Sequence, residues 1–235
     1  EVIDKFPMPR LLDILIQVCQ TIAYAHEMGV IHRDLKPANI IVGKFGEVYV
    51  LDWGLAKIKG AKSLASENIT EDPIPSDCKL TPTGRPYGTP MYMSPEIATG
   101  DPLLDHRSDI FSLGVILFEL LTLNTFVNGQ DIIEIKQKIL ERPYPLPREV
   151  SPDRDIPREL QAICMKALKR QKTERYSSVG HLLEDLQKFR HNEEVSVYWY
   201  SGWEKLTRWN HRNAYLILAL LSAAAGAGAV ALFLR

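Results

Sequence analysis

The chain has 235 residues, of which 46% are hydrophobic and 24% are charged, a composition typical of globular proteins that excludes wholesale disorder. Its formal net charge of −1 argues against a broad surface for binding nucleic acid, so no nucleic-acid partner is expected. The three cysteines lie far apart without metal-binding spacing, which favours a reducing compartment and no structural zinc.

The first predicted element is an amphipathic helix. Apolar residues recur at helical spacing from Leu11 to Ala25, and Gly29 follows where a helix C-terminus is expected. Further along, two β-branched runs, "NIIV" and "EVYVL", are joined by "GKFG", which predicts a β-hairpin with glycine in its turn. The chain is therefore expected to fold first as a helix and then as a small hairpin.

The stretches on either side of this hairpin carry the residues best suited to chemistry. They read "HRDLKPAN", His32 to Asn39, and "LDWG", which contains Asp52. Phosphoryl transfer from ATP needs a carboxylate that takes the proton of the acceptor hydroxyl, oxygen ligands for Mg²⁺, and a cation near the transferred group. Asp34 can be the carboxylate, Asn39 and Asp52 the ligands, and Lys36 the cation. Each residue alone is weak evidence, because a loop Asp is usually a cap or a surface charge.

The second half of the chain is predicted to be mainly helical. A segment from Lys59 to about Arg85 has little periodicity and several prolines, which predicts a long loop. The later run "DIFSLGVILFELLT" is apolar on nearly all sides and predicts a central buried helix. Two amphipathic helices are expected around residues 160–168 and 179–186. The soluble part is thus mostly α-helical with one small β-hairpin.

In their order, these motifs resemble those of eukaryotic-like Ser/Thr protein kinases. "HRDLKPAN" is similar to the family's catalytic loop, "DWG" to its D-F-G motif, and "GTPMYMSPE" to the substrate-docking segment that ends in A-P-E. The resemblance covers roughly Pro9 to Phe189 and implies the α+β protein-kinase-like fold. No glycine-rich flap or upstream Lys–Glu pair is found, and "GKFGEV" follows the catalytic loop, so only the helical C-lobe is expected. The chain would then be a fragment, inactive by itself.

The resemblance implies a role for each residue near the hairpin. Asp34, Lys36, Asn39 and Asp52 would be the catalytic set, with Asp34 as the base that accepts the proton of a Ser or Thr hydroxyl. Lys36, Asn39, Ile41 and Asp52 would contact ATP, and Asn39 and Asp52 would hold Mg²⁺ or Mn²⁺. Lys36 in this position marks the Ser/Thr class of the family, so protein substrates with Ser or Thr are implied.

Other matching residues are implied to dock substrate or to support the structure. Gly88, Thr89 and Glu96 belong to the docking segment. Asp109 would tether the backbone of the catalytic loop, and Arg175 would form a buried ion pair with Glu96. The structural set is completed by two residues of the catalytic motifs, His32 and Trp53. Trp53 stands where the family's D-F-G motif has Phe, and we interpret this as a change in packing rather than a loss of activity.

The segment before the docking motif contains candidates for regulation. "LTPTGRPYGTP" includes Thr81 and Thr83, where related bacterial kinases carry phosphothreonines. In the family, an Arg directly before the catalytic Asp receives such a phosphate, and Arg33 holds that position. Its planar guanidinium suits bidentate binding of phosphate oxygens. The alternative is that both threonines are ordinary polar loop residues.

The last predicted element is a transmembrane helix. Residues 214–234 contain no charge, and at about 1.5 Å per residue they span roughly 31 Å, close to the hydrocarbon core of about 30 Å. Lys205, Arg208 and Arg212 precede this stretch, so the positive-inside rule places the kinase domain in the cytoplasm. The aromatic residues that could form an interfacial belt are Trp199, Trp203, Trp209, Tyr198 and Tyr200. The expected organisation is a C-lobe at 1–190, a juxtamembrane segment at 191–213 and the span at 214–234.

This arrangement resembles bacterial receptor-type Ser/Thr kinases, and the "DWG" variant is most similar to those of chlamydial and related lineages. A single-pass protein of the cell inner membrane with a cytoplasmic kinase domain is implied. Ser222 and Gly226 have a small-xxx-small spacing that would allow a homodimer, although small residues are common in such spans in any case.

Two other functions stay open at this point. A membrane-anchored pseudokinase scaffold would bind partners without transferring phosphate, but such a scaffold would often lose one residue of the catalytic set. A small-molecule phosphotransferase with a kinase-like lobe would not need the peptide-docking segment. Upstream sequence with a glycine-rich flap, a Lys and a Glu would exclude the scaffold.

Overall fold

The computed structural model describes residues 7–54, 56–58 and 90–213. Its α-helices are α1 Met8–Glu27, α2 Pro95–Thr99, α3 Arg107–Thr122, α4 Ile132–Glu141, α5 Pro147–Val150, α6 Arg158–Ala167, α7 Val179–Arg190 and α8 Gly202–Arg212. Its strands are β1 Val30–Ile31, β2 Ile40–Val42, β3 Val48–Val50 and β4 Lys57–Ile58. The described part is therefore mostly helical with small sheets, in agreement with the predicted fold class.

Helix α1 confirms the first predicted element. Its buried side chains recur at helical spacing and include Leu11, Leu15, Val18 and Ile22, which all join the main hydrophobic core. The helix is closed by Gly29, whose φ of 77° is a conformation that glycine adopts without steric cost.

The predicted hairpin is also present, and its glycines form the turn. Strands β2 and β3 pair antiparallel, with Val42 opposite Val48, and the N–H of Gly43 donates to the carbonyl of Glu47 at 2.8 Å. Gly46 has a φ of 94°, which accounts for glycine at that position. The "GKFG" sequence is therefore a turn between strands, as predicted from its place after "HRDLKPAN".

A second small sheet was not predicted. Strand β1 pairs antiparallel with β4, with Val30 opposite Ile58 and Ile31 opposite Lys57. Each strand has only two residues, and the hairpin lies between them in the chain. A pattern of alternating side chains cannot be recognised over two residues, so this pairing left no periodic signal in the sequence.

Helix α3 is the buried centre of the fold. Every residue from Ser108 to Thr122 is buried, as the apolar pattern predicted, and the helix packs against α1, α5, α6 and α7. Helices α6 and α7 confirm the two amphipathic helices predicted in the second half of the chain. The helices that the sequence did not predict are α2, α4, α5 and α8.

The contact between α3 and α6 is tight at Gly114. A Cβ added there would lie 2.9 Å from the Cβ of Ala167 and 3.1 Å from the Cγ of Leu168. We expect Gly114→Ala to lower the free energy of unfolding by about 1–3 kcal/mol, because packed helices cannot easily move apart. Chemical denaturation measures this difference.

The matched control is Gly180→Ala in α7. A Cβ there would meet only the Oγ of Ser178, at 3.5 Å. Because alanine favours helix, this control should keep or raise the free energy of unfolding, by up to about 1 kcal/mol. Equal losses in both variants would contradict a specific clash at Gly114.

The predicted membrane span at 214–234 lies outside the described residues. Within the ranges that the structure covers, no helix combines the length and the apolar character needed to cross a bilayer. The predicted long loop at 59–85 likewise lies outside the described residues.

Candidate active site

The loop that starts at His32 is held by one buried carboxylate, that of Asp109 in α3. Its Oδ2 accepts the backbone N–H of His32 at 2.9 Å, and its Oδ1 accepts the backbone N–H of Arg33 at 2.8 Å. The Nε2 of His26, at the end of α1, lies 2.7 Å from Oδ2. Asp109 is completely buried, so the central helix determines where the loop backbone lies. This is the tether that the resemblance implied.

Three of the predicted catalytic side chains meet next to this tether. The Nζ of Lys36 lies 2.6 Å from the Oδ2 of Asp34, and the amide nitrogen of Asn39 lies 3.4 Å from the same oxygen. Asn39 also donates to the backbone carbonyl of Asp34 at 2.8 Å, which closes the loop on itself. The loop thus presents a carboxylate between an ammonium group and an amide.

The hairpin brings the backbone beside Asp52, the fourth predicted residue, next to Asn39. The N–H of Leu51 donates to the carbonyl of Asn39 at 2.8 Å, so the ladder of β2 and β3 extends to the residue directly before Asp52. Because Asn39 uses its amide nitrogen to hold the loop, its amide oxygen is the atom that can bind a cation. The carboxylate of Asp52 is on an exposed residue. One amide oxygen and one carboxylate are a donor set that suits Mg²⁺.

Two residues of the candidate site have a left-handed backbone conformation. Four described non-glycine residues have a positive φ, and two of them are Arg33, at 69°, and Asp52, at 61°. Such conformations cost about 1–3 kcal/mol each and occur mainly at functional sites, where the surrounding structure maintains them. At Arg33 the strain is maintained by the Asp109 tether.

His32 and Trp53 pack against each other and bond to the backbone next to the site. His32 is fully buried, its Nε2 lies 3.0 Å from the carbonyl oxygen of Leu51, and its ring centroid lies 4.6 Å from that of Trp53. The indole N–H of Trp53 donates to the carbonyl of Val50 at 3.0 Å. Tryptophan therefore makes a hydrogen bond here that phenylalanine could not make.

The predicted ion pair between Glu96 and Arg175 is present, buried and bidentate. The two guanidinium nitrogens of Arg175 lie 2.6 and 2.7 Å from the two carboxylate oxygens. Arg175 also donates to the carbonyls of Lys169 and Arg107, and Ser108 donates its hydroxyl to Glu96 at 2.8 Å. Burial alone would raise the pKa of Glu96, but the hydrogen bonds and charge of Arg175 outweigh it and hold the pKa below its ordinary value.

The remaining predicted site residues are placed apart or not described. Ile41 lies on β2 with an exposed side chain, as a residue contacting nucleotide would need. Four predicted residues fall outside the described residues: Thr81, Thr83, Gly88 and Thr89.

The structure adds residues that the sequence analysis missed. His26 completes the contacts of Asp109, and Ser108 those of Glu96. Tyr92 donates to Glu119 at 2.8 Å and its carbonyl accepts from Ser112 at 2.8 Å, which joins the middle of the predicted docking segment to α3. Ser108, Ser112 and Glu119 are polar residues within the otherwise apolar helix α3, and that was their signal in the sequence; His26 and Tyr92 had none.

Comparison with known proteins agrees with this geometry. The model of the protein kinase domain family matches residues 3–187. A protein called "Serine/threonine-protein kinase PknD" from Protochlamydia amoebophila is 40% identical over 181 residues, which cover 76% of this chain and 18% of that relative. Proteins of the same name from Chlamydia pneumoniae and Chlamydia abortus are 39% and 40% identical over 191 residues each, covering 80% and 78% of this chain and 20% and 19% of theirs.

The chain thus spans about a fifth of the length of these curated relatives. The matched region contains the catalytic loop, the hairpin, the docking segment and the Glu96–Arg175 pair. The sequence motifs, the tethered loop and the family match all lead to one conclusion: the chain belongs to the protein kinase domain family.

Proposed function

We propose that the full-length protein transfers the γ-phosphoryl group of ATP to Ser or Thr hydroxyls of proteins. The observation that carries this proposal is the carboxylate of Asp34, held between Lys36 and Asn39 on a loop whose backbone is tied to Asp109. A positioned carboxylate, a cation and a metal-ligand set are what this reaction requires. The name of the relatives, Ser/Thr kinase, supports the same acceptor groups.

In this mechanism the acceptor oxygen forms a bond to the γ-phosphorus while the bond from that phosphorus to the ADP oxygen breaks. The proton of the acceptor hydroxyl passes to the Oδ of Asp34. The ammonium group of Lys36, 2.6 Å from that carboxylate, can stabilise the negative charge on the transferred group. Because the Asp109 tether holds the loop, these groups need no rearrangement at the moment of reaction.

Asn39 and Asp52 are the residues that would hold Mg²⁺ or Mn²⁺. When bound, the metal would neutralise charge on the ATP phosphates. The strained backbone of Asp52, with its φ of 61°, supports a functional position for its carboxylate. Ile41, exposed on the adjoining strand, would contact the nucleotide.

The proposal is tested on the purified full-length protein with radiolabelled ATP, Mg²⁺ and a protein acceptor. We expect labelled phosphoserine or phosphothreonine from the wild type and none above background from Asp52→Ala. If both proteins leave the acceptor unlabelled while still binding ATP, the pseudokinase scaffold is the better interpretation. Label on a small molecule alone would indicate a small-molecule phosphotransferase.

Regulation by phosphorylation is also proposed, with Arg33 as the residue that binds the phosphate of a phosphothreonine. Its Nε is buried and has no hydrogen-bond partner among the described residues. Burial lowers the pKa of Arg33, and the negative charge of Asp109 offsets part of that lowering. Another anion near the guanidinium, in addition to Asp109, would therefore be favourable. Phosphate on Thr81 or Thr83 would supply that anion through charge-assisted hydrogen bonds.

A double variant tests this switch. Full-length Thr81→Ala, Thr83→Ala is expected to lose most of its activity, because Arg33 would have no phosphate to bind. Phosphosite mapping of the active wild type should find phosphate on at least one of the two residues. Ser76→Ala, from the same long segment, is the control and should keep wild-type activity. A fully active double variant without phosphate at either position in the wild type would contradict the switch.

Membrane anchoring is also proposed. It rests on the uncharged stretch at 214–234 and on the basic residues before it, which favour a cytoplasmic kinase domain at the inner membrane. A homodimer through the small residues of that stretch would let one kinase domain phosphorylate the other.

A further inference from the structure

The chain beyond α7 is not a free linker, because it folds back onto the lobe. The buried carboxylate of Asp185 in α7 accepts the backbone N–H and the hydroxyl of Ser196, both at 2.7 Å, and the hydroxyl of Tyr176 at 2.8 Å. Val195 and Tyr200 belong to the same hydrophobic core as the lobe. The segment that leads to α8 is therefore anchored by both polar and apolar contacts.

Helix α8 is in turn attached to this anchored segment and to the lobe. Its N-terminus has a capping box in which Ser201 and Glu204 bond to each other's backbone N–H. Arg208 forms an ion pair with Glu159 of α6, donates to the Oδ1 of Asn192 at 3.1 Å, and lies 4.7 Å from the centre of the Tyr200 ring. One side of α8 is thus held on the lobe by a half-buried arginine.

A second side of α8 carries apolar side chains that are at least partly exposed, of which Leu206 and Trp209 also line a groove with Asn192 and Arg208. Trp203 is 77% exposed and Trp209 is 52% exposed, and Leu206 lies between them at helical spacing. Leu206 and Arg208 are two residues apart, which places them roughly 160° apart around the helix axis. We call the side formed by Trp203, Leu206 and Trp209 the tryptophan face. Trp199, just before the helix, is 92% exposed.

This arrangement corrects the predicted belt of five aromatic residues. Tyr200 is only 4% exposed, and Tyr198 packs edge-on against it with ring centroids 4.8 Å apart. Tyr198 also donates its hydroxyl to Glu204 at 3.0 Å. The two tyrosines therefore hold α8 to the lobe, and only the three tryptophans are available to a surface outside it.

The sequence that follows α8 indicates what covers the tryptophan face. The helix ends at Arg212, and the uncharged stretch at 214–234 begins two residues later. Tryptophan is enriched where protein meets the bilayer headgroups, and helices with one apolar and one basic side lie in that interface. A helix that leads directly into a membrane span would lie at the depth of the lipid headgroups.

We propose that the tryptophan face lies in the headgroup region of a phospholipid bilayer while the Arg208 side holds the lobe. The kinase lobe would then have a fixed orientation relative to the membrane, instead of moving at the end of a flexible linker. The proposal depends on the predicted span and not on phosphoryl transfer, so a catalytically dead protein would show the same result.

The first experiment measures where the tryptophans lie. The full chain is reconstituted in mixed phosphatidylcholine–phosphatidylglycerol vesicles, with Trp53 replaced by Phe and only one of Trp199, Trp203 or Trp209 kept in each variant. We expect lipids that carry a nitroxide near the headgroup to quench all three fluorophores, and aqueous acrylamide to quench them weakly. The control is Phe45→Trp in a chain whose native tryptophans are all Phe, because Phe45 is 90% exposed on the hairpin turn.

We expect strong quenching of that control by acrylamide and none by the lipid. If the α8 tryptophans behave like the control, the face is in water and the proposal is wrong. If they resist both quenchers, a second copy or another protein covers them, and the proposal is equally wrong.

The second experiment tests the fixed orientation. A fluorescent donor is attached at Phe45→Cys, with Cys78→Ser to prevent competing labelling; Cys19 and Cys164 are buried. Energy transfer to acceptor lipids should give a narrow lifetime distribution in the otherwise native chain. Arg208→Ala should broaden it, while the α8 tryptophans stay quenched by lipid.

Glu159→Gln removes the same ion pair from the lobe side and guards against a folding defect of the arginine variant. Arg190→Ala, which loses only an exposed bridge to Asp13, is the matched control and should keep the narrow distribution. Equal widths in the native chain, Arg208→Ala and Glu159→Gln would contradict a docked, orienting α8.

Discussion

Asp34→Asn in the full-length protein is expected to lower the rate of phosphoryl transfer by about 10²–10⁴, the usual effect of losing a positioned general base. The change is nearly isosteric. The amide can still contact Lys36 and Asn39, which lie 2.6 and 3.4 Å from the native carboxylate, so the loop should keep its conformation. What is lost is the ability to accept the proton of the acceptor hydroxyl.

The measurement is steady-state transfer from ATP to a protein acceptor, together with ATP affinity. Because Asp34 is proposed to act on the hydroxyl, we expect kcat to fall while ATP affinity changes little. Asp13→Asn, at an exposed carboxylate of α1 that pairs with Arg190, is the control and should keep wild-type kinetics. Wild-type activity in Asp34→Asn would remove Asp34 from the mechanism.

The second large effect is expected at the Glu96–Arg175 pair. Arg175→Ala leaves a buried carboxylate without its cation, and removing one partner of a buried pair costs about 3–5 kcal/mol. Both side chains are almost completely buried. At about 2–4 °C per kcal/mol for a domain of this size, the melting temperature should fall clearly. The control is Arg190→Ala, whose exposed ion pair should contribute about 0–1 kcal/mol.

The dependence of this effect on pH has a definite sign. The native pKa of Glu96 is held below its ordinary value, so the pair contributes its full stability above the unfolded pKa of about 4.3. That contribution is lost as the pH falls through the lower native pKa. The stability difference between wild type and Arg175→Ala should therefore shrink in acid.

A double variant separates the ion pair from simple loss of packing. Glu96→Gln added to Arg175→Ala removes the orphaned charge and should recover part of the lost free energy of unfolding. If the double variant is as unstable as the sum of the two single variants, the two residues do not act as a pair.

Much of the candidate site could be predicted because its residues are close in sequence. The run from His32 to Asn39 contains the proposed base, the proposed cation and one proposed metal ligand, and the glycine turn of the hairpin returns the chain to Asp52. Residue types at short spacing were enough to predict that Asp34, Lys36 and Asn39 lie together. The buried helix α3 could also be predicted from the sequence, because a helix that is apolar on all sides has to lie in the core.

What the sequence did not show are contacts between distant positions. Strand β1 pairs with β4, and His26 contacts Asp109. No local sequence pattern around these residues predicts either contact. The same is true of Arg208, which looked like one more basic residue before the predicted membrane span. Its ion pair with Glu159 depends on how the chain folds back after α7.

The Asp109 tether has a further consequence for dynamics. The amides of His32 and Arg33 both donate to a carboxylate at the centre of the core, and His26 contacts the same group from α1. Amide protons held in this way exchange with solvent only when the core itself opens, so their exchange should follow the global unfolding free energy. The catalytic loop would then have no local opening of its own, and on heating the site would keep its geometry until the whole lobe unfolds.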